Sequence, residues 1–221
     1  MNIYLLMLLV GAAVFAAFLY LERRRARAVR AIANQLGLTY CKKTQPKFSY
    51  RDKLGRLVDS GINQSILCSK GRNRTLRNVI EGYWKGMPVC VGDYAYTTGS
   101  GKNKSTHRQT IVVLGYAESH VPEFSLESKN IFHNIRNLFG QSDINFSDYP
   151  DFSKRYQLTG PDELAIRDCF TSEVLTFFES HRSFCVESLG AALLYYKRGY
   201  RVKPQEWQKL MNTAYRVYSR F

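Results

Sequence analysis

The chain has 221 residues, with 32 Lys and Arg against 18 Asp and Glu, a net charge of +14. An ordinary apolar fraction and 14% aromatic residues exclude a disordered chain, and five scattered cysteines without a CxxC pair exclude a zinc ribbon or a secreted disulfide framework. The charge is one-sided, because residues 1–117 hold 19 basic and 5 acidic side chains whereas residues 118–221 hold 13 of each. A polyanion is therefore expected beside the first half, the nearest being the anionic inner leaflet of a membrane, with nucleic acid as the competitor.

Ile3 to Leu21 is apolar throughout, and Glu22 with Arg23, Arg24, Arg25, Arg27 and Arg30 follows at once. Such a run reaches about 28 Å as a helix, roughly the hydrocarbon thickness of a bilayer. Tyr4 and Tyr20 stand near its two ends, where amphipathic rings prefer the interface. The arginines predict a cytoplasmic location for everything that follows and a very short external N-terminus. A cleaved signal would carry its positive charge ahead of the apolar core. Here the only Ala-x-Ala after the core is Ala26-Arg27-Ala28, inside the arginine block. The helix is expected to continue to Leu36, with Gly37 as its C′ residue. Arg23, Arg27 and Arg30 then share one side and can meet lipid phosphates together.

This divides the chain into an anchor with a basic juxtamembrane helix, residues 1–37, and a cytoplasmic domain, residues 38–221. Leu38 to Tyr40 reads as an extended exit. Lys70, Arg72, Arg74 and Arg77 form a compact basic run, with turn residues at Gly71 and Asn73. Three strands are predicted over 78–84, 89–97 and 109–116, rich in β-branched and aromatic residues and punctuated as an antiparallel meander. The second half is expected to be mainly helical: 128–139, a segment after Thr159-Gly160-Pro161-Asp162 that runs to about Cys169, and Ser172 to about Ser180. A short strand over 155–158 and a hairpin around Leu189-Gly190 interrupt it. Pro204 opens a last helix whose stripe of Trp207, Leu210, Met211, Ala214 and Val217 is core rather than a partner groove. The fold class is α+β: an N-terminal transmembrane helix, then one domain with an antiparallel sheet covered by helices.

Motifs that carry chemistry do not close. Gly99-Ser100-Gly101-Lys102 has Tyr96 and Asn103 where a phosphate loop needs Gly and Ser or Thr, and it joins two strands rather than opening a helix. Asp143, Asn145, Asp148 and Asp151 fail the calcium-hand pattern at Asp148 and Lys154 and suit turns and caps. His107, His120, His133 and His181 lack ligand spacing. His181 with Cys185 and Glu187 is the nearest approach to a Cys-His pair, but Phe184-Cys185-Val186 reads as a buried strand. No catalytic, metal or cofactor residue is assigned. The polyanion contacts assigned are Arg23, Arg24, Arg25, Arg27, Arg30, Lys70, Arg72, Arg74 and Arg77. An alternative sets the run from Lys70 beside Tyr83, Trp84, Tyr94 and Tyr96 as a single-stranded nucleic-acid surface, and a further one leaves an enzyme with a dispersed site.

Several segments together resemble an uncharacterised family of small bacterial membrane-anchored proteins. They are Asn34 to Leu38, Asn78 to Tyr83, Val91 to Tyr96, Gly99 to Lys102 leading to Gln109-Thr110, Phe124 to Leu126, Asp143 to Phe146 and Phe152 to Tyr156. The resemblance implies a bacterial inner-membrane protein and brings no activity with it. The function expected is a single-pass protein whose cytoplasmic domain binds a protein partner or anionic lipid headgroups.

Overall fold

The computed structural model describes residues 3–51, 56–116, 121–129, 142–181 and 184–221. The apolar run and the arginine block form one unbroken helix, α1 (Ile3–Leu36). It ends at Gly37, whose φ of +68° is the left-handed conformation that suits a C′ glycine. The apolar residues of α1 are exposed along their length, whereas Val29 and Ala33 in its last third are fully buried. The first part of the helix is therefore no core helix of the domain, and the last part is core.

Strands β1 (Thr39–Thr44), β4 (Arg72–Trp84), β5 (Met87–Thr98) and β6 (Ser105–Gly115) come from the first half of the chain. Strands β7 (Phe124–Ser128), β8 (Tyr156–Thr159), β9 (Cys185–Ser188) and β10 (Ala192–Tyr196) come from the second. All eight join one antiparallel sheet in the order β1-β4-β5-β6-β10-β9-β7-β8. The meander extends further than its apolar segments predict, because β4 takes in the basic run. The tip between β5 and β6 is a short 3-10 turn over Gly101–Asn103, not a phosphate cradle.

In the second half, β8 forms at the expected short strand and β9 and β10 form the expected hairpin around Leu189-Gly190, while β7 is a strand that the sequence reading does not include. This half supplies four of the eight strands, of which β7, β9 and β10 are short and wholly buried, their polar residues included. Phe124 to Ser128 is a strand, and the helix expected over 128–139 falls mostly outside the described residues. Helices α4 (Glu163–Cys169), α5 (Ser172–Ser180) and α6 (Trp207–Tyr218) form as expected. Asp162 caps α4 by accepting from the Ala165 N–H at 3.0 Å. A one-turn helix, α3 (Pro150–Arg155), starts at its proline.

The two sheet faces are covered differently. One packs against the end of α1 and against α3, α5 and α6, through an aromatic cluster that includes Phe124, Phe152, Tyr156, Phe170, Phe178 and Trp207. The stripe of α6 lies in this layer, with Trp207, Met211, Ala214 and Val217 fully buried. The other face is covered by the segment between β1 and β4, which carries β2 (Ser49–Arg51), β3 (Leu57–Asp59) and α2 (Ile66–Ser69). Tyr50 ties it down, its hydroxyl donating to the carbonyls of Ala191 at 2.6 Å and Tyr116 at 3.2 Å. The ring lies over Gly115, where a Cβ would come within 2.7 Å of it.

Candidate functional site at the junction of helix and sheet

On the helical face, β5 carries Asp93 in an otherwise apolar strand. A bulge in β4 between Arg77 and Ile80 puts Asn78 at φ +49° and turns its amide to Asp93 Oδ2 at 3.0 Å. Thr110 of β6, directly opposite, donates to Oδ1 at 3.2 Å and accepts from the Val202 N–H at 2.9 Å. Arg25 of α1 completes the arrangement with a two-pronged contact, Nε to Oδ2 and Nη2 to Oδ1, both at 2.7 Å. Its Nη2 also reaches the Val202 carbonyl at 2.7 Å. Arg201 bridges onward, from Asp93 at 3.1 Å to both oxygens of Glu22 at 2.5 and 2.9 Å.

Burial works against the Asp93 charge, but the hydrogen bonds from Arg25 and the charges of Arg201 and Arg25 outweigh it and hold the carboxyl below its ordinary range. Hydrogen bonds from Arg201 do the same for Glu22. One ion network thus joins the residue that follows the apolar run to the middle of the sheet.

Beside this network lies a cleft of about 250 Å³, bounded by Phe18 and Glu22 of α1 and by Arg77, Ala95, Arg108 and Arg201 of the domain. Cross-strand register explains its shape: Arg77 stands opposite Asp93, and Thr75 and Arg108 flank Ala95 on the two neighbouring strands. Ala95 leaves the floor low where a larger residue would fill it.

The opposite face holds a second buried carboxylate. Glu187 of β9 accepts from the N–H groups of Ile66 at 2.6 Å and Leu67 at 3.1 Å, and from the Tyr196 hydroxyl at 3.0 Å. It pins the start of α2 to the sheet. Glu127 lies near it and is paired with Lys70 at 2.8 Å and Arg198 at 2.5 Å. Burial, and next the Glu127 charge, raise Glu187 to about 7. A cavity of about 280 Å³ adjoins it, lined by Ser65, Ile66, Phe124, Ser125, Gly160 and Leu189 among others.

The expected polyanion contacts are dispersed. Arg23, Arg24, Arg27 and Arg30 are exposed on α1, with Arg30 over the Tyr40 ring at 4.9 Å. Arg25 is not a surface contact, because its guanidinium is turned inward onto Asp93 and only 13% exposed. Lys70 is likewise committed, to Glu127. Arg72 and Arg74 are exposed but donate to backbone carbonyls, of Gly99 and of Ser69 and Gly71. Arg77 faces the cleft.

Of the four aromatic residues expected beside the basic run, Tyr94 and Tyr96 are buried in the other layer, whereas Tyr83 is exposed and Trp84 half-buried. His181 stacks on Phe177 with ring centroids 4.1 Å apart, and Cys185 is a buried strand residue whose thiol burial pushes up to about 11, so no Cys-His pair forms. Among the described residues no cluster of metal-ligating side chains occurs. Asp143 accepts from the Leu158 N–H and pairs with Lys129, a structural role. Asp93 and Glu187 escaped the sequence reading as site residues. The signal available was a lone acid inside an apolar strand, which a buried sheet tolerates only with partners.

The molecule is thus an α+β protein in which a long N-terminal helix, apolar enough to cross a membrane, runs into a domain built on a mostly antiparallel sheet. No family model and no curated protein matches the chain. Among solved structures, the crystal structure of the mycobacterial trehalose monomycolate transport factor A, TtfA, shares the fold with a TM-score of 0.61 at 12% identity, over 90% of this chain and 94% of that one. The likeness is one of fold.

Proposed function

We propose that the chain is a single-pass protein of a bacterial inner membrane, whose cytoplasmic domain lies against the inner leaflet and binds anionic lipid headgroups, without catalysis. The observation that carries this reading is the continuity of α1 from a fully exposed apolar run into the domain core, fixed at the transition by the Arg25–Asp93–Arg201–Glu22 network. A flexible tether would let the domain wander, whereas a docked helix holds one sheet end at the headgroups. Cleavage at Ala28 would also remove Arg25 from Asp93, which speaks against a signal peptide. Outside α1, the large exposed apolar residues described are Leu57, Tyr83, Leu164 and Tyr200, scattered rather than gathered into a patch. That favours lipid over a protein partner, for which an apolar interface core is the usual requirement. TtfA is a transport factor, but at 12% identity only its fold carries over, and the functional reading rests on the geometry of this chain.

Two measurements test it. Protease added outside spheroplasts is expected to leave the C-terminal domain intact, and its removal would reverse the topology. The full chain reconstituted in supported bilayers is expected to hold its domain closer to the surface when phosphatidylglycerol is added to phosphatidylcholine. A distance independent of lipid charge would overturn the lipid reading.

A further inference from the structure

Resting on that reading, we infer that the cleft between the start of the juxtamembrane helix and the sheet is a specific site for the phosphate of one anionic phospholipid, held by Arg77, Arg108 and Arg201. The charges within and around the cleft do not balance. Arg25 and Arg201 are matched by Asp93 and Glu22, while Arg77 and Arg108 line the same space, are exposed, and have no carboxylate within ion-pair distance among the described residues. Two positive charges are left over in one cleft. The Nε of Arg201 is buried and has no acceptor, a donor left open inside a network that otherwise satisfies its members.

The walls identify the carrier of the anion. Phe18 belongs to the apolar run and lines the cleft together with Glu22, the first charged residue after it. From Phe18 to Arg25 the helix rises about 10 Å, comparable with the depth of the headgroup layer. A ligand there meets guanidinium groups on the sheet side and an aromatic ring on the membrane side. That pairing fits a phosphodiester attached to acyl chains, and it leaves a free phosphate with an apolar wall that it cannot use. At about 250 Å³ the cleft has room for a headgroup and not for a whole lipid, so the chains remain in the bilayer. Arginine suits the task because its planar fork meets two phosphate oxygens at once.

The test uses the full-length chain, purified in detergent from nanodiscs of phosphatidylcholine and phosphatidylglycerol, with retained lipid counted by native mass spectrometry. The wild type is expected to retain one phosphatidylglycerol. Arg77→Gln with Arg108→Gln should weaken retention about tenfold or more. Ala95→Trp, which fills the cleft without altering charge, should abolish it. Replacing the outward-facing Arg23, Arg24 and Arg27 by Gln should leave that single lipid in place. Equal retention in the cleft variants overturns the site, while a preference for anionic nanodiscs that survives in them leaves the broader reading standing. No preference for anionic lipid in the wild type overturns both. Displacement of the lipid by millimolar inorganic phosphate would reassign the site to a soluble anion and overturn the lipid assignment. Thermal unfolding matching the wild type confirms that each variant is folded.

Discussion

Two buried carboxylates, one on each face of the sheet, fasten a covering layer to it, and their surroundings give them opposite behaviour. Asp93 meets Arg25 and Arg201 and stays ionised against the penalty of burial. Glu187 meets amide N–H groups and a phenol, with another carboxylate, Glu127, as its strongest charged neighbour. The first fastens α1 and the second fastens the start of α2. Burial alone does not decide the state of an acid; the number of cations placed against it does.

The sharpest way to break the comparison is to remove the acid that is paired. Asp93→Ala leaves the partly buried Arg25 guanidinium without a counter-charge, while Arg201 keeps Glu22, and is expected to cost about 3–5 kcal/mol. Urea unfolding of the full chain in micelles, followed through the buried Trp207, checks this, and a loss below about 1 kcal/mol would show that the network is not a clamp.

The pH response separates the two acids next. The folded value of Glu187, about 7, lies above the ordinary 4.5 of a glutamate, so the folded chain keeps a proton that the unfolded chain releases between those values. Stability from this group is therefore full below about 4.5 and declines as pH rises through 7, by on the order of 3 kcal/mol. Asp93 has the opposite sign. Its folded value is depressed, so its contribution is present above the ordinary 3.8 of an aspartate and is lost as pH falls through the folded value. Unfolding measured from pH 4.5 to 8 should show the decline in the wild type and a flatter curve in Glu187→Gln. An equal slope in both would remove Glu187 as its source. The smallest effect is the control: Glu163→Ala breaks an exposed pair with Arg167 at 2.7 Å, and thermal melts should register no more than about 0.5 kcal/mol.

How much of this was legible in the sequence follows from the range of the signals. The apolar run, the C′ glycine, the cap at Asp162 and the stripe of α6 are local patterns, and each could be read where it stands. The strand at Phe124 to Ser128 could not, although the short strand near Tyr156 and the hairpin around Leu189-Gly190 could. Phe124 to Ser128 alternates, but over five residues only, and its polar Ser125 and Glu127 are buried with the rest. The basic run from Lys70 to Arg77 looked like one surface, yet a strand sends neighbours to opposite sides. Lys70, just before it, turns to Glu127 on one face and Arg77 opposes Asp93 on the other. Arg25 was indistinguishable from its four arginine neighbours, because what sets it apart is an acid 68 positions away.

The unbroken course of α1 also has a mechanical side. A helix of 34 residues is about 51 Å long, and its last third is part of the domain core. On the proposed topology, the bilayer grips one end of a rigid lever and the sheet is bolted to the other. Thinning or thickening of the lipid changes the tilt at which the apolar run fits, and about 10° of tilt swings the far end by about 9 Å. The domain then acts as a pointer, converting a change in membrane thickness into an angular displacement of everything mounted on it.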